Sequence, residues 1–334
     1  MVIFHNYSSQ FPSPPLQSLF RNGWMGVDLF FVLSGFLITG ILLDTKHSAG
    51  YFKNFYARRC LRIWPLYYSV LLFMFVVIPF LRPSVGSTII ARSSPWWAYP
   101  LFLQNFLLQH STNAAGPLGV TWSVAIEEQF YMVWAVVVRT CPSVQLRWIA
   151  VAVICLSPAL RYYLLLHHVD LYTNVFCRLD GLMAGGLIAL VVRSDKFLPS
   201  RFLRSAWLSL FIAAPLAFVT EAFHARWITY SLSAVASAAC VYLAMFATQK
   251  WLRVMLTSRW LMYTGTISYG LYLLHKIPLD AALLVHLDRH PVLTVVTALA
   301  ASYAIAILSW NVLEKPFLRL KRFFELSPHP QEQS

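Results

Sequence analysis

Long apolar runs, broken by short polar, basic or proline-rich stretches, make up most of this chain. A helix needs roughly 17–25 mainly apolar residues to cross a bilayer. Runs of that kind lie at 26–43, 65–81, 119–138, 147–166, 175–192, 206–222, 228–247, 263–285 and 292–312. The apolar stretch 96–108 is too short to span. It reads as re-entrant or interfacial, with Trp96 and Trp97 as anchors. Residues 1–7 read as the end of a further span whose beginning is missing. The breaks are short, so the pattern predicts an all-α integral membrane protein. It would be a polytopic bundle of about ten transmembrane helices, the first cut short at the N-terminus, filling 1–326 as one domain and leaving a disordered cytoplasmic tail at 327–334.

The run Gly26–Leu43 is distinctive because it carries Asp28 at its start. A carboxylate at the edge of lipid is costly, and it is kept there for function or for a partner charge. Beyond the other end comes a basic, aromatic run from Phe55 to Tyr68 that contains Arg58, Arg59, Arg62 and Trp64.

Composition agrees with the pattern. Hydrophobic residues make up 58% of the chain and charged residues 12%, against about 25% charged in soluble domains; the mean hydropathy is +0.61. The net charge of +13 raises the question of nucleic acid, but the distribution of charge answers it otherwise. With the 44–64 loop placed in the cytoplasm and the spans alternating from there, eighteen of the 26 Lys and Arg residues fall on the cytoplasmic side. Arg21, Arg82, Arg92, Arg226 and Arg289 fall on the other side, and Arg161, Arg178 and Lys276 lie within spans or at their outer ends. That asymmetry is the positive-inside rule. It predicts an inner-membrane, multi-pass protein with basic loops and C-terminus in the cytoplasm, lipids as partners and no nucleic acid. Under this orientation His5 and Asp28 both reach one outward cavity. The five cysteines show neither paired nor metal-ligand spacing and read as small buried residues.

Five motifs, in order along the chain, resemble the membrane acyltransferase-3 family, which moves acyl groups, often acetyl, onto cell-envelope carbohydrates. They are Gly23-Trp-Met-Gly-Val-Asp-Leu-Phe-Phe-Val-Leu-Ser-Gly-Phe36, Arg58-Arg-Cys-Leu-Arg-Ile-Trp-Pro65, Thr121-Trp-Ser-Val-Ala-Ile-Glu-Glu-Gln-Phe-Tyr131, Arg178-Leu-Asp180 and Glu314-Lys-Pro-Phe317. The likeness covers almost the whole chain. His5 matches the family's first-helix histidine, but the arginine that members carry about ten residues earlier would precede Met1.

The resemblance implies that His5 is the general base, a task suited to an imidazole near neutral pH. Asp28 would hold the ring in its productive tautomer; the plain alternative is an acid stabilised by a helix N-terminus. Arg58, Arg59 and Arg62 would grip the phosphates of an acyl-CoA donor, with Trp64 beside them. By composition alone they are ordinary positive-inside charge. Arg58 and Arg62 are four apart and share a helix face. Trp122, Ser123, Glu127 and Glu128 open one span. Glu127 is assigned to catalysis and Glu128 to its pairing, with Arg178 as a candidate mate; a structural ion pair is the alternative. Arg178 and Asp180 are two apart, so each needs a partner on another helix. Gly181 and Gly185 have GxxxG spacing and read as packing residues. Tyr272 and His275 form either a substrate contact or a buried polar cluster. His110, His167, His168, His224, His286, His290 and His329 fall in or near loops and carry no reading.

The expected function is O-acyl transfer, most simply O-acetyl transfer, from acetyl-CoA as co-substrate to a hydroxyl of an envelope glycan or lipid-linked sugar. No permanently bound cofactor and no metal are expected. The competing readings are a transporter of a sugar- or lipid-linked substrate, against which no internal repeat is seen, and an inactive membrane subunit.

Overall fold

A computed structural model describes residues 1–11, 13–108, 116–195, 197–284 and 290–324. The expected tail at 327–334 lies outside these residues, as do His110, Lys196, His286, Arg289 and His329. Every regular element among the described residues is helical. The main helices are α1 (Val2–Asn6), α2 (Pro14–Arg21), α3 (Met25–Asp44), α4 (Tyr51–Leu72), α5 (Thr121–Thr140), α6 (Ser143–Leu166), α7 (Leu179–Val192), α8 (Pro199–Ala222), α9 (Arg226–Phe246), α10 (Ser268–Leu274), α11 (Lys276–Leu284) and α12 (Pro291–Ser309).

Among the described residues, six helices are long and apolar enough to cross a membrane: Asn22–Asp44, Tyr51–Leu81, Ser143–Leu166, Pro199–Ala222, Arg226–Phe246 and Pro291–Phe323. Three of the nine runs read from the sequence take other forms. The run 119–138 is the 20-residue helix α5, diluted by Glu127, Glu128 and Arg139. The run 175–192 yields only the 14-residue α7, about 21 Å long at 1.5 Å per residue, short of a ~30 Å hydrocarbon core. The run 263–285 breaks into Arg259–Thr266, α10 and α11. The second break falls at His275, and Pro278, which has no N–H to continue the ladder, sits in the first turn of α11, where a proline costs least. The stretch 96–108 holds one short turn and the four-residue helix Gln104–Leu107, with Trp96 and Trp97 exposed.

Prolines also mark the two π-turns among the described residues. Phe73–Val77 precedes Pro79 and Trp310–Glu314 precedes Pro316. Each proline leaves the carbonyl four residues back without its donor, and the wider turn absorbs the lost bond.

The chain divides into two compact units. Of the described residues, the first holds 1–24, 48–126 and 263–324, and the second 25–47 and 127–262. In the first unit Tyr7, Leu279, Val295 and Ala298 form a buried cluster, and Ile267, Leu271 and Ala306 form another. In the second unit α3 crosses α7 on glycine. A methyl at Gly35 would run into the Leu182 carbonyl, and one at Gly185 into the Val32 carbonyl. Gly185 is thus a packing residue as expected. Its counterpart is Gly35, while a methyl at Gly181 would make only ordinary contact with Phe31 at 3.4 Å. Polar ties fix the same core: Trp134 Nε1 donates to Thr39 Oγ1 at 2.8 Å, and the Ser34 and Tyr131 hydroxyls meet at 2.6 Å. The cysteines depart from expectation. Cys177 alone is buried, Cys155 is exposed, and the other three are intermediate.

Candidate functional site

His5 lies on α1, a single turn that the chain brings back against the end of α2. The last carbonyls of a helix have no partner within it, and that of Arg21 lies 2.6 Å from His5 Nδ1. A carbonyl only accepts, so Nδ1 carries the proton and, in the neutral ring, the lone pair sits on Nε2. Phe20 stacks on Phe4 at 5.0 Å and on Phe11 at 4.7 Å, which holds the fold-back closed. Gly23 is needed for it: a Cβ there would lie 2.5 Å from the Met1 carbonyl oxygen and 3.1 Å from His5 Cβ.

A second histidine stands next in the network. His275 is fully buried, with Nδ1 at 2.6 Å from the Tyr272 carbonyl and Nε2 at 3.0 Å from Asn6 Nδ2. By the same logic Nδ1 is protonated and Nε2 accepts from Asn6, whose other hydrogen goes to the Val2 carbonyl at 3.1 Å. Tyr7 donates to the His275 carbonyl at 2.8 Å and meets Ser302 at 3.0 Å. The Tyr272 hydroxyl donates to the Val120 carbonyl at 3.0 Å, and Ser123 meets it at 2.6 Å. Tyr272 and His275 belong to one hydrogen-bonded network, and its link to α1 runs through Asn6. Asn6 and Tyr7 were missed in the sequence. Their signal was slight, two polar residues beside His5 in a short apolar turn.

Asp28 belongs to the second unit and His5 to the first. Asp28 is buried in the second unit, where its Oδ1 receives Arg178 Nη2 at 2.5 Å. His5 Nδ1 is held by the Arg21 carbonyl. Arg178 thus finds a carboxylate on another helix, that of Asp28 on α3. The reason is the α3–α7 crossing, which brings Asp28 to the first turn of α7. Glu127 and Glu128 are both buried, at 3% and 7% exposure, and Trp122 is buried at 2%.

Asp180 does find its partner on another helix, as its spacing required. Arg161, fully buried in α6, donates to Asp180 Oδ2 at 2.8 Å, to the Trp227 carbonyl at 2.8 Å, to the Cys177 carbonyl at 2.6 Å and to Ser231. Sequence reasoning placed Arg161 in or near a span but gave it no role. Its signal was an arginine inside an apolar helix, which marks a built polar site.

The arginines of α4 face the chain's last helical segment. Arg58 donates to the Lys321 and Phe324 carbonyls at 3.3 and 3.2 Å. Arg62 lies 3.8 Å from Glu314 and over the rings of Tyr269 and Trp310, each at 5.9 Å. Arg59 lies over Phe55 at 5.9 Å. Lys321 feels the charge of all three arginines. Arg58, Arg59, Arg62 and Lys321 thus form a basic cluster, with the Glu314 carboxylate near Arg62, and a cluster of cations suits a polyanion. Trp64 is exposed and meets Tyr68 edge-on at 5.6 Å. Among the described residues no group of three His, Cys, Asp or Glu side chains is arranged to hold a metal ion.

A family model described as an acyltransferase domain matches residues 1–311. The chain is 27% identical over 328 residues to the peptidoglycan O-acetyltransferase OatA of Listeria monocytogenes, covering 89% of this chain and 51% of that protein. It is 29% identical over 324 residues to YrhL of Bacillus subtilis, provisionally named a peptidoglycan O-acetyltransferase, with 89% and 50% covered. It is 27% identical over 322 residues to a provisionally named O-acetyltransferase of Staphylococcus aureus, with 88% and 52% covered. The chain therefore spans about half the length of these curated relatives. No solved structure matches it.

Proposed function

Because the chain belongs to the acyltransferase-3 family, whose model matches residues 1–311, we propose that it is a membrane O-acetyltransferase. It moves an acetyl group from acetyl-CoA to a hydroxyl of a cell-envelope carbohydrate. The observation that carries this reading is the tautomer of His5: with the Nδ1 proton given to the Arg21 carbonyl, Nε2 holds the lone pair that a general base needs.

In the reaction, Nε2 takes the proton of the acceptor hydroxyl as its oxygen attacks the thioester carbonyl. The C–O bond forms, the C–S bond breaks, and the imidazolium returns the proton to the departing thiolate. The Arg21 carbonyl orients the ring through Nδ1. Arg58, Arg59 and Arg62, with Lys321, hold the donor's phosphates, and Glu314 keeps Arg62 aimed while the site is empty. Spacing within the first unit supports this division. Ser302, which meets Tyr7, and Lys321, beside Arg58, lie on one continuous helix, about 28 Å apart at 1.5 Å per residue. A long donor arm is needed to bridge such a distance. The proposed orientation puts the arginines on the cytoplasmic side, where acetyl-CoA is made, and His5 toward the outside. The peptidoglycan named for OatA makes an amino-sugar glycan the first acceptor to try.

The test is acetyl transfer from labelled acetyl-CoA to an envelope-sugar fraction by the purified protein in lipid. His5→Ala is expected to lower the rate by roughly a hundredfold or more, as loss of a general base does, with the fold unchanged by circular dichroism. An unaltered rate removes His5 from the mechanism.

A further inference from the structure

The second unit carries a cavity of about 290 Å³ at the junction of the C-terminal end of α6, the 167–174 loop and the turn between α8 and α9. Building on the acetyltransferase reading, we propose that this cavity, walled by Asp170, Tyr172, His224, Arg226 and Tyr230, is a subsite for one uncharged pyranose ring of the acceptor carbohydrate.

The size is at the small end of ligand pockets, about 300 Å³, enough for one sugar ring and not for a nucleotide. The walls are preformed. The Asp170 carboxylate accepts from the Tyr172 and Thr173 backbone N–H groups at 3.1 and 3.2 Å and from the Thr173 hydroxyl at 2.8 Å. Asn174 Oδ1 accepts from the Phe176 N–H at 3.0 Å. The opposite rim is a closed turn, in which the Ala225 N–H bonds the Thr220 carbonyl at 2.8 Å and His224 takes a left-handed φ of 56°. The floor is fixed from below. The Arg178 guanidinium lies 4.2 Å from the Tyr230 ring and 5.6 Å from that of Tyr172, and is itself held by Asp28. A site already ordered loses little entropy when it binds.

Charge balance selects the ligand class. Arg178 is neutralised by Asp28 and Arg226 by Glu221 at 3.2 Å, with Asp170 also acting on Arg226. The cavity therefore has no cationic surplus for a phosphate, unlike the Arg58–Lys321 group. What it offers is two aromatic rings, hydrogen-bonding groups of both polarities and aliphatic side chains from the loop. Burial pushes the Tyr172 phenol up to about 12, so its hydroxyl stays neutral and able both to donate and to accept. Rings for an apolar sugar face and paired polar groups for its hydroxyls suit an uncharged carbohydrate. In the orientation proposed above the cavity opens outward, where an envelope glycan is found.

The test uses the full chain in lipid nanodiscs with the β-1,4-linked tetrasaccharide of N-acetylglucosamine as probe. Saturation-transfer NMR measures binding, and the acetyl-transfer assay measures the acceptor KM. The wild type is expected to bind the tetrasaccharide. Tyr172→Phe should weaken it roughly fivefold, the value of one hydrogen bond, seen in KM with little change in kcat. His224→Trp, which fills the cavity from an exposed rim position, should abolish binding. The subsite is overturned if the wild type ignores the tetrasaccharide at millimolar concentration, if His224→Trp and Arg226→Gln bind it as the wild type does, or if inorganic phosphate displaces it. His5-dependent acetyl transfer alongside any of those results removes the subsite and leaves the enzyme reading standing. Variant-sensitive saccharide binding without acetyl transfer by the wild type does the reverse.

Discussion

At the scale of single residues, the buried charges decide most. Arg161 is fully buried and spends its guanidinium on one carboxylate, two carbonyls and a hydroxyl. Removing one partner of a buried pair leaves the other uncompensated, at about 3–5 kcal/mol. Arg161→Leu should therefore lower the unfolding midpoint in detergent sharply, and the double variant Arg161→Leu/Asp180→Leu should recover much of the loss. A single variant as stable as the wild type would show that the guanidinium is not the hub it looks to be. Arg58 is a different case, because its acceptors are the chain's own carbonyls at a half-buried surface. Phosphate outbids a carbonyl for a guanidinium, and charge-assisted bonds contribute about 1.5–3 kcal/mol. Arg58→Ala is expected to weaken acetyl-CoA binding by roughly tenfold or more, with a shallower salt dependence. Titration at two ionic strengths measures both, and equal affinities would count against the phosphate grip.

At the scale of elements, small residues set the helix crossings. Gly35 and Gly185 bring the backbones of α3 and α7 into direct contact, and on that contact depends the meeting of Asp28 with Arg178. Gly185→Leu has no space beside the Val32 carbonyl, so it should push α7 away, loosen the Asp28–Arg178 pair and lower thermal stability by several kcal/mol, as overpacking and a broken buried pair together would. Gly265→Ala meets no heavy atom within 4 Å and should leave the unfolding midpoint where it is. Comparing the two midpoints checks the crossing. Six of the nine apolar runs fall on helices long and apolar enough to span; the other three differ for local reasons: carboxylates in α5, fewer residues in α7, and a proline after His275.

For the whole molecule, the asymmetry of Lys and Arg predicts which ends of the spans face the cytoplasm. Single cysteines placed at Ser48 and Ser93, in a background without the native five, give the check. Ser48→Cys should react with an impermeant maleimide only after the cells are opened, and Ser93→Cys in intact cells. The opposite result reverses the orientation, and with it the sides proposed for donor and acceptor.

What the linear order of residues determined is the class of molecule. A hydrophobic content of 58% leaves lipid as the only solvent for most helices, the motif order carries the family, and the positions of His5, Arg58 and Arg161 make them conspicuous because polar groups in apolar helices are expensive. Partners were a matter for the tertiary structure alone. Asp28 went to Arg178, His5 to a backbone carbonyl and Arg62 to Glu314, since each pairing depends on which helices cross and at what height. Such contacts join residues as much as 295 positions apart, as Tyr7 and Ser302 are, and no period of 3.6 along one helix reports which neighbour it will meet.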